Sequence, residues 1–201
     1  MCAIIHFGTD GWRARVDDDF NIDNVARIAD AVGELWQKTN PSQTVYVGFD
    51  TRPQAREFAE LAAGVLAAHG LDAVLVSRPV PTPALSWAAA YDGESYGALM
   101  VTGSHHPQGY LCLKLRMGDG STANQDVIEE LEESMAPEPM GLEGQYRTAD
   151  IIPDYIQAVA SFIDADAIRA AHLRVVVDPM GGAAQGYLAD LLRELGVEVH
   201  E

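Results

Sequence analysis

Short apolar runs alternate along the chain with longer segments that carry apolar residues at helical spacing. The short runs are rich in β-branched and other apolar residues and are typical of buried strands. The longer segments form one apolar face each, which predicts amphipathic helices. The predicted strands cover residues 44–50, 72–77, 96–102 and 110–117, and the predicted helices cover residues 23–38, 52–70, 80–91 and 124–135.

This alternation predicts an α/β fold with a mixed, mostly parallel sheet that is sandwiched by helices. The last predicted strand has a period of two residues, so Tyr110, Cys112 and Lys114 should share one face of the sheet. An aperiodic segment at residues 136–147, rich in Pro, Gly and Glu, is typical of a domain linker. We therefore place a first domain at residues 1–140.

The residues after this linker predict the truncated beginning of a second α/β domain, at residues 150–201. The predicted elements are a helix at 152–171, a strand at 173–178, a glycine-rich loop with a helix at 179–196, and a strand from residue 197. So small a unit cannot close its own core, and we expect the chain to be part of a longer protein.

The charge of the chain limits the choice of partners. Acidic residues outnumber basic ones by 30 to 13, which gives a formal net charge of −17. Such a surface repels polyanions, so neither nucleic acid nor an anionic membrane is expected as a partner. A small anionic ligand is still compatible with this charge if the few cations are gathered in one cleft.

The termini and cysteines predict a soluble, cytoplasmic protein. The N-terminus lacks the basic and apolar regions of a signal peptide, and no segment offers the ~18 uninterrupted apolar residues of a membrane span. Cys2 and Cys112 lie in unrelated surroundings, which indicates neither a disulfide framework nor a metal site.

Several polar motifs have a structural explanation beside a functional one. Asp164 and Asp166 could bind a hard cation, but capping of a helix is the favoured interpretation. His105 and His106 are adjacent and point in different directions, so a zinc pair is not expected. The glycine-rich segment at 178–186 does not match a nucleotide-binding motif, and tight helix–strand packing is favoured there.

The motif that most suggests chemistry is TGSHHP, which follows the predicted strand at residues 96–102. It places Ser104 at the carboxyl end of a parallel strand, where ligands bind in open α/β sheets. A serine hydroxyl attacks only with the help of a base or of charge neutralisation, and the G-x-S-x-G elbow of hydrolases is absent. Taken alone, the motif leaves open both a nucleophile and a serine that caps a turn.

Several motifs in one order decide between these interpretations. FGTDGWR, VYVGFDTRP and TGSHHP, together with VPTPALSWA and LRVVVDPMGGAAQGYL, resemble the α-D-phosphohexomutase family of phosphoglucomutases, phosphomannomutases and phosphoglucosamine mutases. The resemblance runs from about Phe7 to the last residue. It implies a four-domain protein, of which this chain would be the first domain and the opening of the second.

The resemblance also implies roles for individual residues. Ser104 would be a phosphoserine that exchanges its phosphoryl group with hexose phosphates through a hexose bisphosphate. His105 would neighbour this nucleophile, while Arg13 and Lys114 would neutralise the transferring phosphoryl group, as the electrostatics of phosphoryl transfer require. Mg²⁺ is implied as cofactor, bound by the phosphate of Ser104 and by residues beyond Glu201.

The loop departs from the usual family pattern at three positions. His106 stands where asparagine is usual, and Leu111 and Cys112 stand where Asn-Gly is usual. Our first hypothesis is the N-terminal part of a hexose phosphomutase, with this chain inactive by itself. The alternative is a relative that binds phosphosugars or is structural without catalysis, and a serine hydrolase comes third. The preferred hexose and the oligomeric state are not predicted.

Overall fold

The computed structural model describes residues 4–38, 43–141 and 143–201. A six-stranded sheet and a two-stranded parallel sheet make up its β-structure, with helices flanking the larger sheet. The strands are β1 Trp12–Arg15, β2 Thr44–Phe49, β3 Asp72–Val76, β4 Ser95–Thr102, β5 Tyr110–Met117, β6 Arg147–Ala149, β7 Arg174–Val176 and β8 Glu198–His200. The helices are α1 Ile22–Gln37, α2 Ala55–Ala68, α3 Thr82–Asp92, α4 Gln125–Ser134, α5 Ile152–Ala160, α6 Ala165–Ala170 and α7 Tyr187–Glu194.

The large sheet has the strand order β1-β5-β4-β2-β3-β6. Strands β2, β3, β4 and β6 pair in parallel, whereas β5 pairs antiparallel with both of its neighbours, β1 and β4. Within this sheet β5 therefore runs against the other five strands. The predicted mixed, mostly parallel α/β sheet is confirmed, and the carboxyl ends of β1 to β4 share one edge.

The alternation of side chains along β5 is also confirmed. Leu111, Leu113 and Leu115 are buried in the main hydrophobic core, while Cys112 and Lys114 lie on the opposite face. The core continues into α1, which begins where the side chain of Asn21 accepts a hydrogen bond from the backbone N–H of Asn24. Burial of both faces of β5 fixes its register, because a shift of one residue would exchange its apolar and polar sides.

Two strands were absent from the predicted elements, and both form edges of the large sheet. Strand β1 spans only four residues, of which two are arginine, and β6 spans three residues, Arg147–Ala149. Short, charged strands are typical of sheet edges, and they carry too little apolar pattern to be recognised from sequence. Strand β6 pairs with β3, so the first sheet extends past the predicted linker. The domain bounds 1–140 and 150–201 stay a prediction.

The predicted helical segment at residues 152–171 forms two helices, α5 and α6, and the second begins where the capping interpretation of Asp164 places the start of a helix. Asp164 caps α6 by accepting a hydrogen bond from the backbone N–H of Ala167 at 2.9 Å. Asp166 pairs with Arg169 on the same helix. The capping interpretation of Asp164 is confirmed, and this cap explains why a new helix begins here.

Two further predictions concern membranes and cysteines. No helix in the described part of the chain has the length and apolar character needed to cross a membrane. Cys112 is buried as a free thiol, and Cys2 lies outside the described residues.

Candidate active site

The loop that carries Ser104 connects β4 to β5 at the edge where the parallel strands end. Ser104 is exposed and has φ of 48°, in the left-handed region that costs an L-residue roughly 1–2 kcal/mol. The hydrogen bond from the backbone N–H of His106 to the carbonyl of Gly103, at 2.9 Å, closes the turn around it. The turn therefore presents the serine side chain to solvent from a backbone conformation that its surroundings must maintain.

Asp50, directly after β2, holds the start of this loop. One carboxylate oxygen accepts hydrogen bonds from the hydroxyl of Thr102 at 2.7 Å and from the backbone N–H of Gly103 at 2.8 Å. The Thr102 hydroxyl oxygen in turn accepts from the backbone N–H of Ser104 at 2.9 Å. Because β2 and β4 are parallel neighbours, their carboxyl ends meet here, and this network fixes the serine relative to both strands.

The two histidines of the loop lie against each other, with ring centroids 4.3 Å apart. The hydroxyl of Ser104 lies 3.3 Å from Nδ1 of His105, which places the predicted neighbour within weak hydrogen-bond reach. Nε2 of His106 is buried and has no hydrogen-bond partner among the described residues. At the position where the resemblance led us to expect asparagine, His106 therefore places a ring nitrogen, Nε2, that forms no hydrogen bond with the described residues.

Positive charges converge on this loop. Desolvation lowers the pKa of His106, and the charges of Arg13, His105, Arg52 and Lys114 lower it further. In a chain of formal net charge −17, such a gathering of cations around one loop favours an anionic ligand there. The structure therefore brings the sequence-predicted residues Arg13, Ser104, His105 and Lys114 to one region.

Lys114 reaches this region from β5 as part of an ion-paired cluster. Its Nζ donates to Asp10 at 2.5 Å, and the guanidinium of Arg116 donates to the other Asp10 oxygen at 2.7 Å. Partial burial alone would raise the pKa of Asp10, but the hydrogen bonds and charges of both cations outweigh it and hold this pKa below its usual value. No direct bond between Lys114 and Ser104 is found in the described part of the chain, so Lys114 acts here as a nearby charge.

Arg13 lies on the edge strand β1, opposite Cys112 of β5, and its side chain is exposed. The thiol of Cys112 is buried, and this burial raises its pKa to about 11. The turn that precedes β1 depends on Gly11, whose φ of 120° is unfavourable for other residues. A Cβ at this position would also lie 2.6 Å from the carbonyl oxygen of Leu113, so the FGTDGWR motif packs directly on β5.

A cavity of about 350 Å³ opens beside Ser104 between the two units of the chain. One wall contains Asp50, Thr102 and Ser104, and the other contains the glycine-rich loop at residues 179–183. The Thr51 hydroxyl donates to the carbonyl of Gly181 at 2.8 Å and joins the two walls. The expected tight helix–strand packing is not found at these glycines: a Cβ at Gly181 would meet nothing within 4 Å, and one at Gly182 would meet only Pro179 of the same loop.

The described residues contain no group of three or more His, Cys, Asp or Glu side chains arranged to hold a metal ion. The carboxylate of Asp50, near Ser104, is already occupied by hydrogen bonds from the loop and from the backbone N–H of Arg52. The donor set that the structure offers therefore does not by itself make up a Mg²⁺ site.

Sequence reasoning missed four residues that shape the site, although two of the quoted motifs contain three of them. Asp50 and Arg52 hold the Ser104 loop, and Asp10 and Arg116 complete the cluster around Lys114. The motifs VYVGFDTRP and FGTDGWR contain Asp50, Arg52 and Asp10, but no role was assigned to these three residues from the sequence. Arg116 had no such signal beyond its alternation with Lys114 along β5.

The architecture defines the class of protein: an α/β/α unit that presents a serine loop at the carboxyl edge of its sheet, followed by the start of a second α/β unit. Residues 5–140 match the family model described as phosphoglucomutase/phosphomannomutase, alpha/beta/alpha domain I, and residues 153–201 match that of domain II. The chain belongs to this phosphohexomutase family.

Individual relatives agree with this assignment. The chain is 32% identical to a phosphoglucomutase/phosphomannomutase of Thermococcus kodakarensis and 30% identical to a phosphoglucosamine mutase of Polaromonas naphthalenivorans, with 96% of this chain aligned to each. A solved structure from Thermus thermophilus, assigned as a phosphomannomutase, superposes with a TM-score of 0.94 over 100% of this chain at 35% identity. The chain spans 43%, 44% and 46% of these three proteins, respectively.

Proposed function

We propose that this chain is the part of a hexose phosphomutase that carries the phosphoserine. Such an enzyme interconverts sugar 1-phosphates and sugar 6-phosphates. The observation that carries the proposal is the position of three cations in a strongly acidic chain: Arg52 binds the exposed Ser104 loop, and Arg13 and Lys114 lie on the two strands beside it. Phosphoryl transfer needs mainly positioning and neutralisation of charge, which is what such an arrangement supplies. The names of the relatives support hexose phosphates as the substrate class.

In the proposed reaction, phospho-Ser104 gives its phosphoryl group to a hydroxyl of the hexose phosphate. The bond between Ser104 Oγ and phosphorus breaks as the sugar oxygen bonds to phosphorus, and the proton lost by the sugar hydroxyl is replaced by one that His105 gives to Ser104 Oγ. The resulting hexose bisphosphate reorients and returns its other phosphoryl group to Ser104, which regenerates the phosphoserine. The exposed hydroxyl and the adjoining cavity support this role, because the sugar must reach the serine from solvent.

The cations have distinct parts in this proposal. Arg13 is exposed and free to turn its planar fork toward the transferring phosphoryl oxygens. Lys114 is held by Asp10 and contributes a fixed positive charge. His105 lies 3.3 Å from the serine hydroxyl and is placed to exchange a proton with it when the phosphoryl group leaves.

Magnesium is also part of the proposal, although the described residues do not by themselves form a site for it. The phosphate on Ser104 would be one ligand and would supply charge neutralisation when Mg²⁺ is bound. We propose that the other ligands come from a part of the full-length protein outside this chain, and that this chain alone is inactive.

The test uses the full-length protein that contains this chain. Intact-mass and phosphopeptide analysis should find one phosphoryl group on Ser104, and Ser104→Ala should abolish mutase turnover with glucose, mannose and glucosamine 1-phosphates. Ser161→Ala is the matched control, because its hydroxyl donates only within its own helix. Sugar phosphate binding without phosphoserine or turnover would favour the non-catalytic alternative, and turnover by Ser104→Ala would overturn the mechanism.

A further inference from the structure

The side chain of Arg52 lies inside the curve of the Ser104 loop and binds its backbone. Its Nη1 donates to the carbonyl of Pro107 at 2.9 Å, and its Nη2 donates to the carbonyls of Ser104, at 3.3 Å, and of His106. Three peptide planes of one loop thus point their oxygens at a single guanidinium. Because this group is planar and its N–H bonds form a rigid fork, it fixes those peptide planes relative to each other.

Gly103 provides the space in which this guanidinium lies. A Cβ at Gly103 would come within 2.2 Å of Arg52 Nε and 2.4 Å of Arg52 Cζ. Real Cβ contacts are not that short, so any other residue at this position would push the guanidinium off the loop. The arginine position and the glycine are therefore coupled, and this coupling is independent of the hydrogen bonds to the carbonyls.

The backbone of Arg52 is tied to the same loop through Asp50. One oxygen of this carboxylate accepts from the backbone N–H of Arg52 at 2.9 Å, and the other accepts from Thr102 and Gly103. Two residues after β2 therefore bind the loop: the carboxylate of Asp50 binds its start, and the guanidinium of Arg52 binds the carbonyls that follow. Ser104, with its left-handed backbone, lies between these two points of attachment.

We propose that Arg52 is a positioning residue, which holds the Ser104 loop in the conformation from which the serine exchanges its phosphoryl group. The inference rests on the proposed function and adds a role that binding of substrate does not require. The carbonyl bonds set the direction of the peptide that carries Ser104, and hence the direction in which Oγ points. Misplacement of a reacting atom by about 1 Å typically lowers a rate by about 100-fold.

The substitution Arg52→Lys distinguishes a role in positioning the loop from a role as a positive charge. It keeps the positive charge near the loop, but an ammonium group cannot hold three carbonyls in a planar fork. For Arg52→Lys in the full-length protein we expect kcat to fall by about 10- to 100-fold with little change in KM. Hydrogen exchange of the backbone amides of Gly103, Ser104 and His106, which donate hydrogen bonds within the loop and to Asp50, should accelerate at the same time.

Two further variants sharpen this experiment. Gly103→Ala should lower kcat for the same reason, and the double variant with Arg52→Lys should be no slower than the slower single variant, because both changes break one interaction. Arg56→Lys is the matched control, since Arg56 is exposed and pairs with Glu60 on the surface of α2. This control should match the wild type in kcat, KM and amide exchange.

Each outcome decides the inference. Unchanged kcat and unchanged exchange in Arg52→Lys would overturn it. A rise in KM at constant kcat and constant exchange would overturn it too, because Arg52 would then be a substrate ligand. A wild type without phosphoserine or turnover would refute the proposed function instead, and the exchange experiment would still show whether Arg52 fixes the loop.

Discussion

Replacement of Asp10 by asparagine tests the ion-paired cluster on β5 through the stability of the first unit. Asp10 binds Lys114 and Arg116, whose side chains are only 11% and 10% exposed, while the Asp10 side chain is 47% exposed. Asparagine preserves the shape but leaves two nearly buried cations without a counter-charge. Breaking a fully buried pair costs about 3–5 kcal/mol, and because solvent screens the half-exposed Asp10 we expect about 1–2 kcal/mol here.

The pH dependence provides a second, sharper test of the same substitution. The folded-state pKa of Asp10 lies below its ordinary value of 3.8, so its contribution is fully present above that value. It is lost as the pH falls through the folded-state pKa, because the protonated carboxyl no longer attracts the cations. The difference in unfolding free energy between wild type and Asp10→Asn should therefore be constant between about pH 5 and 8 and narrow below about pH 4.

Urea unfolding followed by tryptophan fluorescence is a suitable assay, because all three tryptophans lie in the first unit. Glu60→Gln is the control: it breaks an exposed ion pair with Arg56 on α2 of the same unit and should cost at most about 0.5 kcal/mol. The reasoning is wrong if Asp10→Asn unfolds with the wild-type free energy at pH 7. It is equally wrong if the difference between the two proteins is as large at pH 3 as at pH 7.

Three other predictions address the turn, the contact between the units and the buried thiol. Gly11→Ala should destabilise the first unit by at least about 3 kcal/mol in urea, because of its positive φ and the clash with β5, whereas Gly8→Ala should cost less than about 1 kcal/mol. Tyr187→Phe removes a 2.7 Å hydrogen bond to a carbonyl of the first unit and should raise amide exchange in α7 by a factor corresponding to about 1 kcal/mol, with unchanged exchange as the refuting result. The pKa of the Cys112 thiol is raised to about 11, so at pH 8 Cys112 should contain about 100-fold less thiolate than an ordinary thiol. In a Cys2→Ser background it should therefore react about 100-fold more slowly with a thiol reagent, and a fast reaction before unfolding would contradict this.

The central elements of the sheet could be predicted from sequence because burial imposes a strong pattern on them. Strands β2 to β5 have apolar runs or clear alternation, and their predicted bounds agree with the structure to within one or two residues. The edge strands β1 and β6 were not predicted, because most of their side chains are not buried and their sequences therefore lack an apolar pattern. Residues 152–171 were assigned as one helical stretch, but the capping interpretation of Asp164 already indicated that a helix begins there, as α6 does.

The candidate site divides in a similar way. Ser104 could be located because a polar motif interrupts apolar sequence at the end of a predicted parallel strand. The contacts of Arg52 could not be predicted, because Arg52 binds backbone carbonyls, which every residue has, so the sequence does not show which ones it binds. The roles of Ser104, His105, Arg13 and Lys114 in catalysis stay predictions, which the substitutions above are designed to test.

The antiparallel course of β5 has a consequence for how the charge around the serine can vary. Its polar face carries Cys112, Lys114 and Arg116 in succession, opposite Thr102, Met100 and Ala98 of β4, so each step along this face leads away from the serine loop. Residues two apart on a strand are separated by about 7 Å, and the intervening positions face the leucine core. On this face the Cα atom of a cationic residue can therefore lie nearer the serine loop only in steps of about 7 Å, and Cys112 is the next such position. A cation that acts from closer to the loop on this strand would have to stand at position 112.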